Sequence, residues 1–227
     1  MSDKLALYKL KRRLLAELFP NLCPFCGRVI GTREYWCKPC EALLPIIRGE
    51  LTSPENVARL YACCWYRGVA RSAVHMLKFG CLIYPADAFG LMMSGMLKNV
   101  RMDYLVPVPS GLLSIEKRGF SSADVIAKRI SLRLNVPILK AVAAVPGKEE
   151  QKSLTSKGRK RNAQKSFHIA KNADVRGKRL MLIDDVSTTG STISAVAGLL
   201  LDAGAAEVSA AVFAKVPDSS EISDEPV

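Results

Sequence analysis

The sequence predicts an α/β fold, a parallel sheet flanked by helices, preceded by a small cysteine-bearing amino-terminal segment. Three observations predict it. Apolar strand-like runs alternate with helical stretches through the second half of the chain, the pattern of βα units packed into layers. The clearest run, residues 180–183, ends in Asp184 and Asp185 and then a hydroxyl-rich turn, the strand-to-helix junction that parallel sheets present at their carboxyl edge. Cys23, Cys26, Cys37 and Cys40 form two C-x-x-C pairs with ten residues between them. The expected organisation is an amino-terminal helix and metal segment over 1–50, the α/β domain over 51–216, and a disordered acidic tail over 217–227.

Leu7, Leu10, Leu14, Leu15 and Leu18 recur at helical spacing with Lys11, Arg12 and Arg13 between them. They predict an amphipathic helix packed onto the main body; contact with a membrane surface or nucleic acid is the alternative. Residues 45–54 read as a linker bounded by prolines. Strand character follows at 59–66, helices at 71–79 and 86–97, an apolar run ending in prolines at 104–108, and a helix at 121–134. A strand is expected within 136–145, and then at 180–183 and 208–213, with a helix over 191–203 between the last two. The stretch 147–166 has no apolar period and carries seven Lys and Arg against Glu149 and Glu150. It reads as a long functional loop.

Composition bounds the function classes. Of 227 residues, 49% are hydrophobic and 24% charged, so a packed core is expected and wholesale disorder is excluded. The formal net charge of +12 suits a phosphorylated, polyanionic partner as well as it suits a merely solvated surface. The amino terminus lacks the apolar core and cleavage site of an export signal, and no run reaches the roughly 18 apolar residues of a membrane span. A cytoplasmic protein is therefore expected, with Cys63, Cys64 and Cys81 as free thiols.

The turn after the central strand carries the chemistry. Ser187, Thr188, Thr189, Gly190, Ser191 and Thr192 stand where a helix begins. The amides of a first helical turn lack intrahelical acceptors and the helix dipole is positive there, so the turn suits a phosphate. Gly190 permits close approach or a positive φ. Carboxylates repel phosphate, so Asp184 and Asp185 are expected to meet hydroxyl donors or hydrated Mg²⁺ instead. Ordinary helix capping and a receiver-type phosphoacceptor are the rival readings; neither requires four hydroxyls with a glycine and an acid pair.

This run resembles the fingerprint of type I phosphoribosyltransferases. The resemblance implies that Asp184 and Asp185 bind the ribose 2′ and 3′ hydroxyls of 5-phosphoribosyl-1-pyrophosphate (PRPP), that residues 187–192 cradle its 5′-phosphate, and that Mg²⁺ bridges ribose and pyrophosphate. Three further segments resemble the ComF family. Residues 105–120, LVPVPSGLLSIEKRGF, are similar to a Pro-Val-Pro strand end, a short loop and an Arg-Gly-Phe helix start; the loop would hold pyrophosphate, neutralised by Lys117 and Arg118. Gln151, Leu154, Arg159, Asn162 and Phe167 resemble the family's lid. Residues 66–80, YRGVARSAVHMLKFG, resemble a third family segment, in which Lys78 would approach pyrophosphate or simply lie on the surface. His75 is expected to be structural; His168 follows the lid pattern and has no visible partner. Purine-salvage relatives carry an acidic base near the position of Thr188, and no other acceptor-activating base declares itself.

Two cysteine pairs at this spacing in an intracellular chain predict one Zn²⁺ held by four thiolates, a closed and therefore structural site. A redox dithiol is the rival. Two functions stay open: a phosphoribosyltransferase with an unidentified acceptor, or a PRPP sensor or single-stranded DNA-binding protein without turnover. The family's usual setting implies competence, DNA uptake and natural transformation, with competence-machinery proteins as partners.

Overall fold

In the computed structural model, residues 3–80, 82–145 and 166–218 are described. The main sheet holds four strands in the order β1-β6-β5-β2, all parallel: β1 (Leu60–Trp65), β2 (Tyr104–Pro107), β5 (Arg179–Ser187) and β6 (Glu207–Lys215). Ile138 adds a parallel bridge to Leu105 at the β2 edge. Strand β3 (Val142–Ala144) pairs antiparallel with β4 (Phe167–Ile169). β5 and β6 are buried along nearly their whole length, which is why they read as unbroken apolar runs rather than alternating ones.

Side chains alternate across the sheet, and each face has its own core. Leu105, Met181, Ile183 and Phe213 pack with helices α3 (Gly68–Phe79), α4 (Pro85–Leu97) and α6 (Ser122–Leu134). Val106, Leu180, Leu182 and Val212 pack on the other face with Val196 and Leu200 of α7 (Ser191–Asp202). At the centre of the first core Phe89 stacks on Phe213 with ring centroids 3.6 Å apart.

The cysteine segment shares that core. Phe25 lies against Phe213, centroids 6.5 Å apart, and Cys23, Ile30, Cys37, Cys40 and Leu44 are buried in the same cluster. The chain then pairs beside β1: the amide of Ile47 donates to Cys63 O, and that of Trp65 to Pro45 O. Residues 45–54, expected as a linker, thus extend the sheet edge and then pass over the start of α7, where Pro54 meets Gly190.

Two further expectations need correction. Helix α1 (Asp3–Leu18) forms, but its leucine stripe does not pack: Leu7, Leu10, Leu14, Leu15 and Leu18 are all exposed, and only Leu5 is buried. Polar groups hold the helix instead. Tyr8 donates to Asp87, and Arg12 donates to Glu34 O and lies 4.1 Å from the Tyr35 ring centroid. The loop expected after β2 is largely a helix, α5 (Leu112–Arg118), ended by Gly119 at φ 77°, the left-handed stop that glycine supplies most cheaply. A short helix, α2 (Lys38–Ala42), carries Cys40. Of the expected lid, Gln151, Leu154, Arg159 and Asn162 lie outside the described residues, as do Cys81 and the tail beyond Asp218.

Candidate functional site

The site sits at the carboxyl ends of β5 and β6. β5 does not stop before the acids; it runs through them to Ser187. Because consecutive strand residues face opposite ways, Asp184 continues the Leu180–Leu182 face and Asp185 the Met181–Ile183 face. The two carboxylates therefore leave β5 on opposite faces yet stay linked, the Asp185 amide donating to Asp184 Oδ1 at 2.8 Å.

Asp185 is 1% exposed and is ion-paired through one oxygen and hydrogen-bonded through the other. Its Oδ1 lies 2.6 Å from Lys78 Nζ, and Ser122 Oγ donates to its Oδ2 at 2.5 Å. Burial works against the charge on Lys78, but Asp185, and after it Asp184, outweigh this and hold its ammonium above the ordinary lysine range. Lys78 reaches the site from the last turn of α3 and so ties that helix to the centre of the sheet. Asp185 thus fixes the position of Lys78 at the carboxyl end of β5. Asp184 is only half-buried. Burial, and then Asp185 beside it, push its carboxyl up to about 7, with Lys78 and Arg118 pulling the other way. Arg118, in the last turn of α5, is thus electrostatically part of the site; Lys117 beside it is exposed.

The turn after β5 is shaped for close approach. Gly190 has φ 71°, and a Cβ there would come within 2.5 Å of Pro54 Cγ and 3.8 Å of Ser187 Oγ. The hydroxyl of Ser187 is buried at the base of the turn with no hydrogen-bond partner among the described residues, an arrangement that costs about 1–3 kcal/mol unless something else satisfies it. Thr188 and Thr189 are exposed above it. Thr189 Oγ1 donates to Ser191 Oγ at 3.1 Å and accepts from the Ser191 amide at 3.4 Å. Thr192 is half-buried in the first turn of α7.

A second site is built by the cysteines. The Sγ atoms of Cys23, Cys26, Cys37 and Cys40 all lie within 4.8 Å of one another, and those of Cys26 and Cys37 are 3.7 Å apart. Four thiolates about 2.3 Å from one Zn²⁺ would stand roughly 3.8 Å apart, so the cluster could hold such an ion. The first knuckle closes through the Gly27 amide on Cys23 O, with Gly27 at φ 73°. The second closes through Pro39 in the first turn of α2 and the Glu41 amide on Cys37 O. Burial pushes the Cys23 and Cys40 thiols up, while the Cys40 backbone holds Cys37 down to about 7; a bound cation would favour all four thiolates.

The structure brings Lys78, Arg118, Asp184, Asp185 and the 187–192 turn together. It leaves His75 exposed against Phe79, ring centroids 4.7 Å apart, and His168 exposed on β4. Three contributors escaped the sequence reading. The sequence places Ser122 only within the 121–134 helix and Pro54 only in the linker, while Lys215, buried where β6 pairs with Ser187 and 5.8 Å from the Trp65 ring centroid, lies beyond the strand expected at 208–213.

Comparison with known proteins decides the family. The phosphoribosyl transferase domain matches residues 95–227. The chain belongs to that family. Among its relatives are the DNA utilization protein YhgH of Escherichia coli (strain K12), 28% identical over 201 residues, with 83% of this chain and 87% of that one covered, and the competence protein ComFC of Bacillus subtilis (strain 168), 28% identical over 198 residues, with 86% and 78% covered. The chain is thus a ComF family protein, as its combination of cysteines, acid pair and hydroxyl-rich turn predicts. Among solved structures, a purine phosphoribosyltransferase from Pyrococcus horikoshii Ot3 is similar, with a TM-score of 0.40 and 23% identity over 61% of this chain and 78% of that one. Among the described residues, no helix is long and apolar enough to cross a membrane.

Proposed function

We propose that this chain binds PRPP at the carboxyl end of β5 and transfers its phosphoribosyl group to an acceptor nucleophile, in the DNA-uptake setting that its relatives' names suggest. The buried, partnerless hydroxyl of Ser187 carries the reading. A donor stored at the base of a turn that tolerates no Cβ at Gly190 is what a phosphate oxygen would satisfy. The 5′-phosphate would then rest on residues 187–192, and the Asp184 carboxylate would accept from the ribose hydroxyls.

Lys78 is held by Asp185 at the edge of the site, and Arg118 bears on Asp184 from α5; together with Lys117 they supply positive charge for the leaving pyrophosphate. In the transfer the acceptor's lone pair forms the new bond at C1, and the C1–O bonding pair leaves with pyrophosphate. Mg²⁺, for which half-buried Asp184 is a suitable oxygen donor, would supply further charge neutralisation on the diphosphate. The cysteine cluster would hold one structural Zn²⁺, with no open position for substrate.

A second reading is PRPP sensing without turnover, with or without single-stranded DNA as the output. It is favoured by Thr188, an exposed hydroxyl where purine-salvage relatives carry an acid. A pyrophosphate-release screen across nucleobases, nucleotides and single-stranded DNA separates the two. Release with one acceptor, lost in Asp184→Ala, supports transfer. Saturable PRPP binding with no release from any acceptor supports sensing. No PRPP binding at all overturns both.

A further inference from the structure

A cavity of about 640 Å³ lies between α1, the chain flanking the first cysteine pair, and the start of α4, with Arg129 of α6 on its wall. It is of small-molecule size, and no residue of the 187–192 turn lines it. Its walls have two characters. Leu15, Phe19, Ile83 and the rings of Tyr35 and Tyr84 form an apolar, partly aromatic surface; Leu15 and Phe19 are exposed at its lip. Lys11, Arg12 and Arg129 set three positive charges against the single carboxylate of Asp87.

The hydrogen-bond inventory of this lining is unbalanced. Asp87 is already occupied: it accepts from Tyr8 and Arg129 and pairs with Arg12 at 3.8 Å. Lys11 has no hydrogen bond or ion pair among the described residues, and Arg12 has more N–H groups than the contacts to Asp87 and Glu34 use. Cationic donors outnumber the single carboxylate, so the lining favours a ligand that brings an anionic acceptor.

We propose that this cavity binds a small aromatic anion: a flat apolar ring system bearing one carboxylate, sulfonate or phosphate. The rings lie against Leu15, Phe19, Ile83 and Tyr84, and the anionic group is met by Lys11 and the spare N–H groups of Arg12. The site is separate from the phosphate turn and does not depend on what that turn binds.

The probe is 8-anilinonaphthalene-1-sulfonate, titrated by fluorescence into the full chain beside N-phenyl-1-naphthylamine, which has the same rings without the sulfonate. The expected result is one saturable site per chain, with the sulfonate bound about tenfold more tightly, the scale of one charge-assisted hydrogen bond. Lys11→Glu should weaken the sulfonate about tenfold and leave the amine unchanged; Lys11 is exposed, so the fold should tolerate it. Leu15→Asp should weaken both probes. Leu10→Ser with Leu14→Ser, on the outer side of α1, and Thr189→Asp in the phosphate turn should change neither. No saturable binding, equal affinity for the two probes, or loss of binding in the outer-face or Thr189 variants instead of Lys11→Glu would overturn the proposal.

Discussion

Gly190 and the Lys78–Asp185 pair are the residues on which the site turns, and they act through different physics. At Gly190 a methyl group meets both a left-handed φ and Pro54. Gly190→Ala should therefore cost about 1–2 kcal/mol from the backbone alone, with a further loss from the clash. Urea denaturation of Gly190→Ala with and without Pro54→Gly would separate the two: the second change should recover only the clash. Lys78→Met would leave Asp185 buried with Ser122 as its one remaining partner. The loss should be about 2 kcal/mol, below the ~3–5 kcal/mol of a fully buried pair because Lys78 is partly exposed. Lys78→Met with Asp185→Asn should restore most of it. Asp184 differs in sign. Its carboxyl is raised to about 7, so the folded chain binds more protons than the unfolded chain between about pH 4 and 7, and this group lowers stability as pH rises through that window. Asp184→Asn should raise the melting temperature at pH 8 and leave it nearly unchanged below pH 4. An equal shift at both pH values would mean that the strain is not electrostatic.

At the scale of elements, the cysteine segment and α1 make contrasting predictions. The segment is fastened to the sheet through Phe25 on Phe213, so losing its metal should loosen the main core as well as the knuckles. Elemental analysis should give about one zinc per chain, and chelation should lower the melting temperature and change the emission of Trp36, which packs on Phe25. A fully folded, metal-free protein would favour the redox reading. Helix α1 is the reverse case. Leu5→Ala should cost about 2–3 kcal/mol, whereas Leu10→Ser with Leu14→Ser should stay within about 0.5 kcal/mol of wild type. These elements also show what a single sequence could and could not convey. The βα alternation, the strand-to-helix turn after β5 and the cysteine spacing are local patterns, and each was legible. The leucine stripe was misread because periodicity reports amphipathicity and says nothing of which face the fold covers. α5 was missed because prolines and glycines on either side masked a seven-residue helix. The opposite facing of Asp184 and Asp185 depends on how far β5 continues, which strand pairing with β6 decides and local sequence does not.

For the molecule as a whole, the parallel sheet gathers at one edge everything the proposed chemistry uses: the turn after β5, Lys78 from α3, and Arg118 from α5. The cavity under α1 and the cysteine cluster lie outside that set. Loss of PRPP binding should therefore be obtainable without loss of fold, and Thr189→Asp achieves this most cleanly. Thr189 is exposed at the start of α7, so a carboxylate there should maintain or slightly raise helix stability through the dipole while repelling a phosphate from the turn. Calorimetric titration of PRPP with Mg²⁺ into the wild-type chain and Thr189→Asp is the most direct test. The account predicts saturable one-to-one binding to wild type and at least tenfold weaker binding to a variant that melts no lower; equal affinity in the two proteins would contradict it.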